Sequence, residues 1–483
     1  MSAAIVWLRR DLRLTDNPAL FEAVARHETV IPVYIHAPEE EGPWEPGGAQ
    51  QWWLHRSLRV LSADLAAAGA PLTVRRGPSG DALAALAAET GATAVHWNRL
   101  YEPAVVARDR GIKERLREAG LIVQSFNAAL LVEPWQVATG QGAPYRVFTP
   151  FWKRLVADHD LPGAAAHDAR PPAALPGPAV VPASEAVDDL GLLPAVRWYD
   201  GLEAAWHPGE AGARSGLEAF AGEALAGYDA GREVPAMAGT SALSPHLHFG
   251  EIGPRQVVAA VAADDAAATD GGEAFLRELG WREFAHHLLF HFPETPQRPL
   301  DRKFEAFPWR DPDGEAAAEA EAWRTGRTGV PMVDAAMRQL WATGWMHNRL
   351  RMVVASFWTK NLRLPWLDGA RWFWDTLVDA DLAANTLGWQ WAAGCGADAA
   401  PYFRIFNPVR QGERFDPDGA FVSAWVPEVA ALPAKHMHAP WQAPKSVLRA
   451  VGLELGRDYP WPVVDLKASR EAALAAFQEL RTG

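Results

Sequence analysis

Residues 3–20 read AAIVWLRRDLRLTDNPAL, an apolar run followed by a polar turn and then a segment that suits a helix. The run 3–8 contains no polar residue, which predicts a strand buried on both faces. The turn after it has no G-x-G-x-x-G, so the usual dinucleotide fingerprint is missing. The stretch therefore predicts the opening strand–loop–helix unit of a sheet protein.

The alternation of apolar runs with helical patterns continues for about 125 residues. Further strands are expected at 30–35, 72–76, 94–97 and 121–125, and helices at 18–27, 50–68, 80–89 and 103–119. Strands that alternate with helices form parallel sheets covered on both faces. We therefore predict a doubly wound, Rossmann-like α/β domain over residues 1–130.

A linker is predicted over residues 131–204. Its part 160–195 is rich in Pro and Ala and lacks helical or strand periodicity, which indicates a surface connector. From about Ala205 the pattern is helical, with Gly and Pro between amphipathic runs. We predict an all-α domain over residues 205–483, since 483 residues are too many for one ordinary core.

The composition excludes several classes of protein. No run of about 18 uncharged apolar residues exists, so no membrane span is expected. The N-terminus turns charged at Arg9, before a secretory apolar region could form. The single cysteine, Cys395, excludes a disulfide framework and any iron–sulfur cluster that needs four thiolates. These facts fit a bacterial cytoplasmic protein.

Charge and tryptophan are unevenly distributed. The net charge of −13 alone argues against a nucleic-acid partner. Between Asp334 and Asp368, however, all charged side chains are basic: Arg338, Arg349, Arg351, Lys360 and Arg363. Of the 23 tryptophans, 14 lie from Trp281 onward. A solvated helix face would explain the arginines alone, but beside these aromatics we predict a local basic face near a planar ligand, an electron path or both.

The segment GTSALSPHLHFG, residues 239–250, predicts the start of a helix. Ser244 is expected to cap it and Pro245 to occupy the first turn. Thr240 and Ser241 add hydroxyls, so such a terminus can hold a pyrophosphate without a lysine. Ordinary capping is the alternative interpretation.

A helix is predicted over FLRELGWREFAHHLLFH, residues 275–291. Glu278, Trp281 and Arg282 share one face, where a carboxylate, a stacking plane and a guanidinium together suit a nucleobase. The alternative is a surface ion pair over a half-buried Trp. His287 and His291 have metal-ligand spacing but no obvious third ligand, so we expect packing or hydrogen-bonding histidines and no metal.

Asn348 and Met352 are predicted to lie one turn apart on another helix, where an amide and a thioether suit a flat ring. Further along, Asp379 and Asp381 stand in an apolar context. They could be metal ligands or acid/base catalysts. We favour a pair with Arg351 that accepts from a ligand hydroxyl or ring N–H, because no third metal ligand accompanies them.

These segments closely resemble the photolyase/cryptochrome family. The resemblance is carried by VWLRRDLRLTDNPAL, GTSALSPHLHFG, LGWREFAHHL, TGVPMVDAAMRQLWATGWMHNRLRM and DADLAANTLGWQWAAGCGADAAPYFRIFNP, in the family's order. It covers nearly the whole chain and implies an α/β antenna domain and a helical FAD domain. The implied activity is repair of cyclobutane pyrimidine dimers in DNA by light-excited reduced FAD (FADH−), in a bacterial enzyme near classes I and III.

The resemblance also implies the residues of the flavin site. The implied FAD contacts are Tyr228, Thr240, Ser241, Ala242, Leu243, Ser244, Arg282, Asn348, Arg351, Asp379, Ala380, Asp381 and Asn385. Asn385 matches the residue that faces flavin N5. An amide there resembles repair enzymes, whereas plant cryptochromes have an Asp.

The implied lesion and DNA contacts form a second set. They are Arg232, Glu278, Trp281, Asn348, Arg349, Met352, Trp391, Arg404 and Gln411. The dimer must leave the duplex, and a damaged pair unstacks at lower cost. The implied catalytic set comprises Glu278, Asn348 and Asn385 together with an electron-transfer chain, Trp389, Trp366 and Trp309.

The antenna chromophore stays open. Residues 47–58, GGAQQWWLHRSL, suggest an aromatic antenna pocket, and methenyltetrahydrofolate is favoured over deazaflavin, although YEPAVVARDR lacks the family's usual Asn–Glu folate pair. We expect a monomer that associates with the nucleoid by binding DNA, with no membrane partner.

Three related functions are alternatives. A (6-4) photolyase of animal type has paired histidines where this chain has Met346-His347-Asn348, and its bacterial form needs four cysteines. A cryptochrome-type blue-light photoreceptor would carry a long C-terminal tail, whereas this sequence stops at Gly483, soon after a helical pattern. A single-strand-preferring, DASH-like enzyme would differ in the lesion pocket, notably at Trp391.

Overall fold

The computed structural model describes residues 2–159, 171–172, 174–263, 269–402 and 404–482. These residues form a parallel sheet followed by a helical part. The strands are β1 Ala3–Leu8, β2 Thr29–His36, β3 Thr73–Arg76, β4 Ala94–Asn98 and β5 Ile122–Phe126, in the spatial order β3-β2-β1-β4-β5. The helices among them are α1 Pro18–Arg26, α2 Gly48–Ala67, α3 Ser79–Thr90 and α4 Pro103–Glu118.

Strand β1 is buried on both faces because helices cover both sides of the sheet. Val6 packs into one core with Leu20 of α1, whereas Ile5 packs into the opposite core with Leu83 of α3. β1 pairs in parallel with β2 on one side and with β4 on the other. The chain reverses its direction of winding there, and ligands of such sheets bind at the carboxyl ends of the strands beside that point.

The remaining part is helical. Its helices are α5 Phe148–Asp158, α6 Asp200–Ala205, α7 Glu210–Glu223, α8 Tyr228–Gly231, α9 Ser244–His248, α10 Pro254–Ala263, α11 Asp270–His291, α12 Ala317–Arg324, α13 Pro331–Thr343, α14 Asn348–Ser356, α15 Trp366–Thr376, α16 Leu382–Ala393, α17 Pro408–Phe415, α18 Ala420–Trp425, α19 Ala434–Met437, α20 Lys445–Ala450 and α21 Leu466–Thr482. A π-helical turn, Phe357–Asn361, extends α14. The largest core of the described residues lies here, around Trp323 and Trp358.

The turn after β1 joins the sheet to the helical part. Leu12 N donates to Phe249 O over 3.1 Å, and Arg13 Nη1 donates to Gly250 O over 2.9 Å. Gly250 has φ +64°, and a Cβ built there would lie 2.2 Å from Arg10 O. The polar turn after β1 therefore connects the sheet part to the helical part. In a dinucleotide-binding sheet protein the phosphate-binding loop would occupy this position.

The sequence located the regular elements of the sheet part well. All five strands end within one residue, and the four helices within two residues, of the predicted bounds. The predicted linker contains helix α5, whose apolar residues pack against α11, so the part that precedes the Pro- and Ala-rich connector is a folded element. Residues 160–170 and 173 of the connector lie outside the described residues.

The domain limits at residues 130 and 204 stay predictions. Among the described residues, no helix combines the length and the apolar character needed to cross a bilayer.

Replacing Gly250 by Ala is expected to destabilise the joint. The left-handed backbone conformation costs an L-residue about 1–2 kcal/mol, and displacing the Arg10 carbonyl adds about 1–3 kcal/mol. Gly91→Ala is the matched control, because Gly91 has φ +67° and nothing within 4 Å of its Cβ position. Urea unfolding followed by circular dichroism should show a larger loss for Gly250→Ala, and equal losses would contradict the proposed close approach.

Candidate functional site

Two carboxylates meet at the start of α16. Asp381 caps this helix, since its Oδ1 accepts from Ala384 N over 2.8 Å. Asp379 Oδ2 accepts from Arg351 Nη2 over 2.7 Å, as the sequence suggested, while its Oδ1 is buried without a partner. Asn385 follows one turn later and donates from Nδ2 to Ala370 O over 2.9 Å. The site thus has one buried acceptor available for a ligand.

Helix α11 presents its side chains to three different neighbours. Glu278 pairs with Arg232 over 2.6 Å and is half-buried. Trp281 stacks on Phe148 of α5, with ring centroids 3.9 Å apart and planes at 10°. Arg282 reaches toward the sheet domain and donates to Ala129 O over 2.6 Å. A carboxylate and an indole therefore stand together at a partly open surface of this helix.

A buried histidine lies beside Asp381. His286, one turn after Arg282 on α11, places Nε2 3.3 Å from Asp381 Oδ2. Burial alone would raise the pKa of Asp381, but the positive charge of His286 holds it well below its usual range. Burial alone would lower the pKa of His286, but Asp381 raises it above its ordinary value. Both shifts describe an ionised pair.

The segment 240–244 differs in one respect from the expectation. Ser244 is the first residue of the short helix α9, and no side chain caps that helix, so the predicted hydroxyl cap was wrong. The Ser244 hydroxyl instead accepts from Trp345 Nε1 over 3.3 Å. Ala242 has φ +50°, a conformation that only a few non-glycine residues of the described chain adopt. The segment 240–244 therefore has an unusual backbone conformation at Ala242, and its hydroxyl groups do not cap the helix α9.

Tyr228 lies in an aromatic cluster. It is buried at the start of α8 and meets Phe275 edge to face, with centroids 5.2 Å apart. The Arg232 guanidinium lies 5.3 Å from its ring. Tyr228 and Glu278 are thus linked through the same arginine.

Helix α14 and the end of α16 carry the remaining predicted lesion contacts. Asn348 is exposed at the first position of α14, and Met352 lies one turn later and is half-buried. Trp391 is half-buried near Phe406, with centroids 6.4 Å apart, while Trp389 is buried. The two tryptophans of α16 therefore lie in different surroundings.

The ring of Trp389 contacts aromatic rings that are not members of the predicted electron-transfer chain. Its ring lies 5.1 Å from Phe373 and 6.2 Å from Trp323, and Trp323 lies 4.6 Å from Trp358. Trp366 is buried at the start of the neighbouring α15. The predicted terminal member, Trp309, is half-buried against Phe307.

The predicted basic face is narrower than the sequence suggested. Lys360 was wrongly assigned to it, because this side chain is 1% exposed and donates to Arg404 O over 3.0 Å. Arg338 is paired with Glu428 over 2.8 Å. Exposed cations nearby lie further along the chain, at Arg404, Arg410 and Arg414.

Helix α17 forms part of this surface. Arg349 and Arg414 both lie over the ring of Phe415, at 4.2 and 4.9 Å from its centroid. Arg349 also forms an ion pair with Glu233. Gln411, one turn before Phe415, has a buried Oε1 without a partner.

His287 and His291 are hydrogen-bonding histidines, as expected. Both rings contact Pro134 O, at 3.1 and 3.2 Å, and His287 Nε2 accepts from Tyr145 N over 3.0 Å. Among the residues that the structure describes, no group of three His, Cys, Asp or Glu side chains is arranged to hold a metal ion.

A cavity of about 240 Å³ opens at the carboxyl ends of β1 and β2. Aromatic rings and basic groups line it, among them Trp7, Tyr34, Trp44, Trp374, Arg10 and Arg108. His248 also lines it and is buried. Its Nδ1 lies 3.9 Å from Asp381 Oδ2, and neither ring nitrogen has a hydrogen-bond partner within the described residues. Of the pocket segment suggested by the sequence, Gln50 and Gln51 reach the cavity, whereas Trp53 packs against His246 in the core.

Comparisons with known proteins agree with this architecture. The DNA photolyase family model matches residues 4–176, and the model for the FAD binding domain of DNA photolyase matches residues 275–479. A deoxyribodipyrimidine photo-lyase of Agrobacterium fabrum is 48% identical over 479 residues, covering 99% of this chain and 98% of the relative. The chain belongs to the DNA photolyase family.

Two further members of the family show its range. Cryptochrome-2 of Arabidopsis thaliana is 41% identical, and the match covers 99% of this chain and 79% of that protein. The crystal structure of a bacterial class III photolyase from Agrobacterium tumefaciens has a TM-score of 0.93 at 47% identity, covering 100% of this chain and 98% of the other. The similarity therefore extends over the whole fold and not only over one domain.

The residues of this photolyase-family chain fit a flavin dinucleotide. The buried Oδ1 of Asp379 and the buried indole N–H of Trp389 both lack a partner within the described residues. One is an acceptor and the other a donor, and buried polar groups of this kind normally have a partner. Arg351 fixes the Asp379 carboxylate, so the acceptor is held in one orientation.

Sequence reasoning missed two residues of the site. Phe148, the stacking partner of Trp281, was assigned to a linker and so was not weighed. His286 was passed over in favour of its neighbour His287. The signal for His286 was its spacing of four from Arg282, which predicts the same helix face.

Asp379→Asn is expected to weaken FAD binding by about 10- to 100-fold, since a charge-assisted hydrogen bond contributes about 1.5–3 kcal/mol. The variant also leaves Arg351 without its carboxylate. Asp375→Asn is the control, because Asp375 is exposed and accepts only from Gly48 N among the described contacts. Flavin fluorescence titration of the apoprotein measures both, and unchanged affinity for Asp379→Asn would remove Asp379 from the flavin site.

Proposed function

We propose that this protein is a light-driven deoxyribodipyrimidine photo-lyase that repairs cyclobutane pyrimidine dimers in DNA with FAD. One observation carries the proposal. Helix α11 holds a half-buried carboxylate and a stacked indole, Glu278 and Trp281, on turns adjoining Arg282 and His286, which belong to the flavin-side cluster. A single rigid element therefore connects a surface suited to a damaged base with the flavin site.

Bound reduced FAD would, once excited by light, donate one electron to the dimer and recover it after the dimer splits, and the residues of the chain would hold the two partners. Arg351 and Asp379 bind the flavin side, with Arg282, Ala380 and Asp381 around them. Tyr228 and the run Thr240 to Ser244 hold the phosphate end. The hydroxyls of this run are free of a capping role, which supports that assignment.

The lesion is held by groups that the free protein keeps accessible. Glu278 accepts a hydrogen bond from the base edge, because a carboxylate is an acceptor with several lone pairs. Trp281 and Trp391 flank the splayed bases, and stacking of this kind contributes about 1–3 kcal/mol per base. Asn348 and Met352 complete the pocket from α14, and the exposure of Asn348 supports this role.

A small set of cationic side chains binds the DNA. Arg232, Arg349 and Arg404, with Gln411, contact the strand around the extruded dimer. The unpaired Oε1 of Gln411 and the stack of Arg349 on Phe415 give this surface fixed polar groups. Because the chain carries a net charge of −13, binding should depend on this local patch and weaken steeply with salt.

Asn385 and three tryptophans act on the redox state of the flavin. The Asn385 amide is anchored by its Nδ2 on Ala370 O, which leaves its oxygen for the flavin N5 side. Trp389, Trp366 and Trp309 carry electrons to the flavin. Burial of the first two supports this path, since exclusion of water lowers the reorganisation of surrounding dipoles.

A second chromophore, methenyltetrahydrofolate, occupies the cavity at the carboxyl ends of β1 and β2. The aromatic walls formed by Trp7, Tyr34, Trp44 and Trp374 suit a pterin ring. The unpartnered nitrogens of His248 offer it further hydrogen bonds.

The activity is tested with photoreduced protein and an oligonucleotide that contains one thymine dimer. Dimers should disappear under blue or near-UV light and persist in the dark. Equal loss in both conditions, or none in light, would falsify the assignment. FAD photochemistry without any dimer loss would instead favour a cryptochrome-type photoreceptor.

Glu278→Ala should lower repair per absorbed photon while FAD stays bound. The expected decrease is up to about tenfold, the factor that corresponds to losing ~1.4 kcal/mol. Glu273→Ala is the control, because Glu273 is exposed near the start of the same helix. Loss of FAD from Glu278→Ala would show that Glu278 belongs to the cofactor site.

Leu100→Trp should displace the second chromophore and leave FAD in place. Leu100 is half-buried and lines the cavity, so the larger side chain fills the space. Leu121→Trp is the control, since Leu121 is also half-buried but lies outside that lining. Chromophores released by denaturation are identified by mass spectrometry. A folate retained by Leu100→Trp would place the antenna elsewhere.

A further inference from the structure

Both ring nitrogens of His286 face hydrogen-bond acceptors. Nδ1 lies 3.1 Å from Arg282 O, the carbonyl one turn earlier on α11. Nε2 lies 3.3 Å from Asp381 Oδ2. The ring is 4% exposed, and Tyr101 lies edge-on to it with centroids 6.2 Å apart. Water therefore has little access to either nitrogen.

This geometry has a consequence for the proton count of the ring. A neutral imidazole has one N–H and one lone pair, so it would direct a lone pair at an oxygen on one of its two sides. Only the imidazolium donates from both nitrogens. The peptide carbonyl has no proton to donate. Asp381 Oδ1 already accepts from Ala384 N, so a proton on this carboxyl could lie only on Oδ2, and the neighbouring positive charges hold the pKa of Asp381 well below its usual range.

The charges around His286 balance only when the ring is protonated. They come from both the sheet part and the helical part of the chain. The cations are Arg10 and Arg282, the carboxylates are Glu102, Asp381 and Glu283, and the uncharged titratable neighbours are His248 and Tyr101. Arg10 pairs with Glu102 over 2.6 Å, and Arg282 lies 3.7 Å from Glu283. His248 Nδ1 also lies 3.9 Å from Asp381 Oδ2, but burial lowers the pKa of His248, so His286 is the histidine that carries the counter-charge of Asp381.

We propose that His286 is a positioning residue that stays an imidazolium, fixes Asp381 as a carboxylate and cancels its charge beside the flavin. This inference rests on the proposed function, since it assumes that Asp381 adjoins bound FAD. The reduced cofactor is an anion, and an uncompensated buried carboxylate next to it would oppose its formation. The positive charge of the imidazolium offsets the negative charge of Asp381, and the Asp381 carboxylate can still orient the flavin ring.

The adjacent histidine provides a matched comparison. His287 is equally buried on α11, but its Nε2 accepts from Tyr145 N while Nδ1 donates to Pro134 O. That pattern needs one proton, and burial lowers the pKa of His287 to about 4. Two neighbouring histidines of one helix are therefore assigned opposite protonation states at neutral pH.

The first test reads protonation directly in the FAD-loaded protein. Nitrogen-15 NMR of labelled histidine, assigned by loss of signals in His286→Gln and His287→Gln, distinguishes an imidazolium from a neutral ring. We expect His286 to carry two protons at pH 7 and His287 one. A neutral His286 would overturn the proposal, whatever the protein does to DNA.

The second test measures the midpoint potential of bound FAD as a function of pH. His286→Gln should shift it to more negative values, His286→Arg should restore it, and His287→Gln should leave it unchanged. Because Asp381 raises the pKa of His286 above its ordinary value, the charge of His286 is lost only as pH rises through that raised pKa. At high pH the midpoint potential of the wild-type protein should therefore fall below that of His286→Arg.

The outcomes separate this inference from the proposed activity. Equal potentials for wild type and His286→Gln would overturn the inference even if dimers are repaired. Shifted potentials without dimer repair would overturn the activity and keep the inference. If His286→Gln fails to fold, the divergence of wild type from His286→Arg with pH, together with the NMR result, still decides the question.

Discussion

Burial of charge at the junction of the two parts is the constraint on which the site depends. Arg10 and Glu102 come from the sheet part, whereas His286 and Asp381 come from α11 and the start of α16. An unpaired charge in such a place costs several kcal/mol, so each group fixes the position of its partner. The sheet part therefore supplies counter-charges to the cluster formed by His286 and Asp381.

The joint at the turn after β1 makes this arrangement possible. Gly250 lets two backbones approach more closely than a Cβ would permit, and Arg13 spans the contact with hydrogen bonds to main-chain oxygens. The close approach excludes water from the adjoining cluster. In that setting, ion pairs and hydrogen bonds are stronger than at an exposed surface. Backbone geometry at one glycine thus supports electrostatics at the cofactor site.

The sequence predicted the sheet closely, since β1 and its neighbours are long apolar runs whose burial does not depend on distant partners. It also favoured the pairing of Asp379 with Arg351, because no third metal ligand accompanies the two carboxylates. It failed where a residue's role depends on contacts between distant segments. Lys360 counts as a cation in the sequence, but the π-helical turn directs it inward. Ser244 resembles a cap, but Trp345 uses its hydroxyl.

The stack of Phe148 on Trp281 joins the residues matched by the FAD-binding model to a segment outside them. One face of the Trp281 indole is covered by a residue from α5, so a base can approach only from the other side. Residues 275–479 alone would therefore present an indole open on both faces. Exchanging the N-terminal portion between family members would therefore change the surroundings of this indole. The two parts of the chain share the packing of one aromatic side chain, so a change in one part alters the surface of the other.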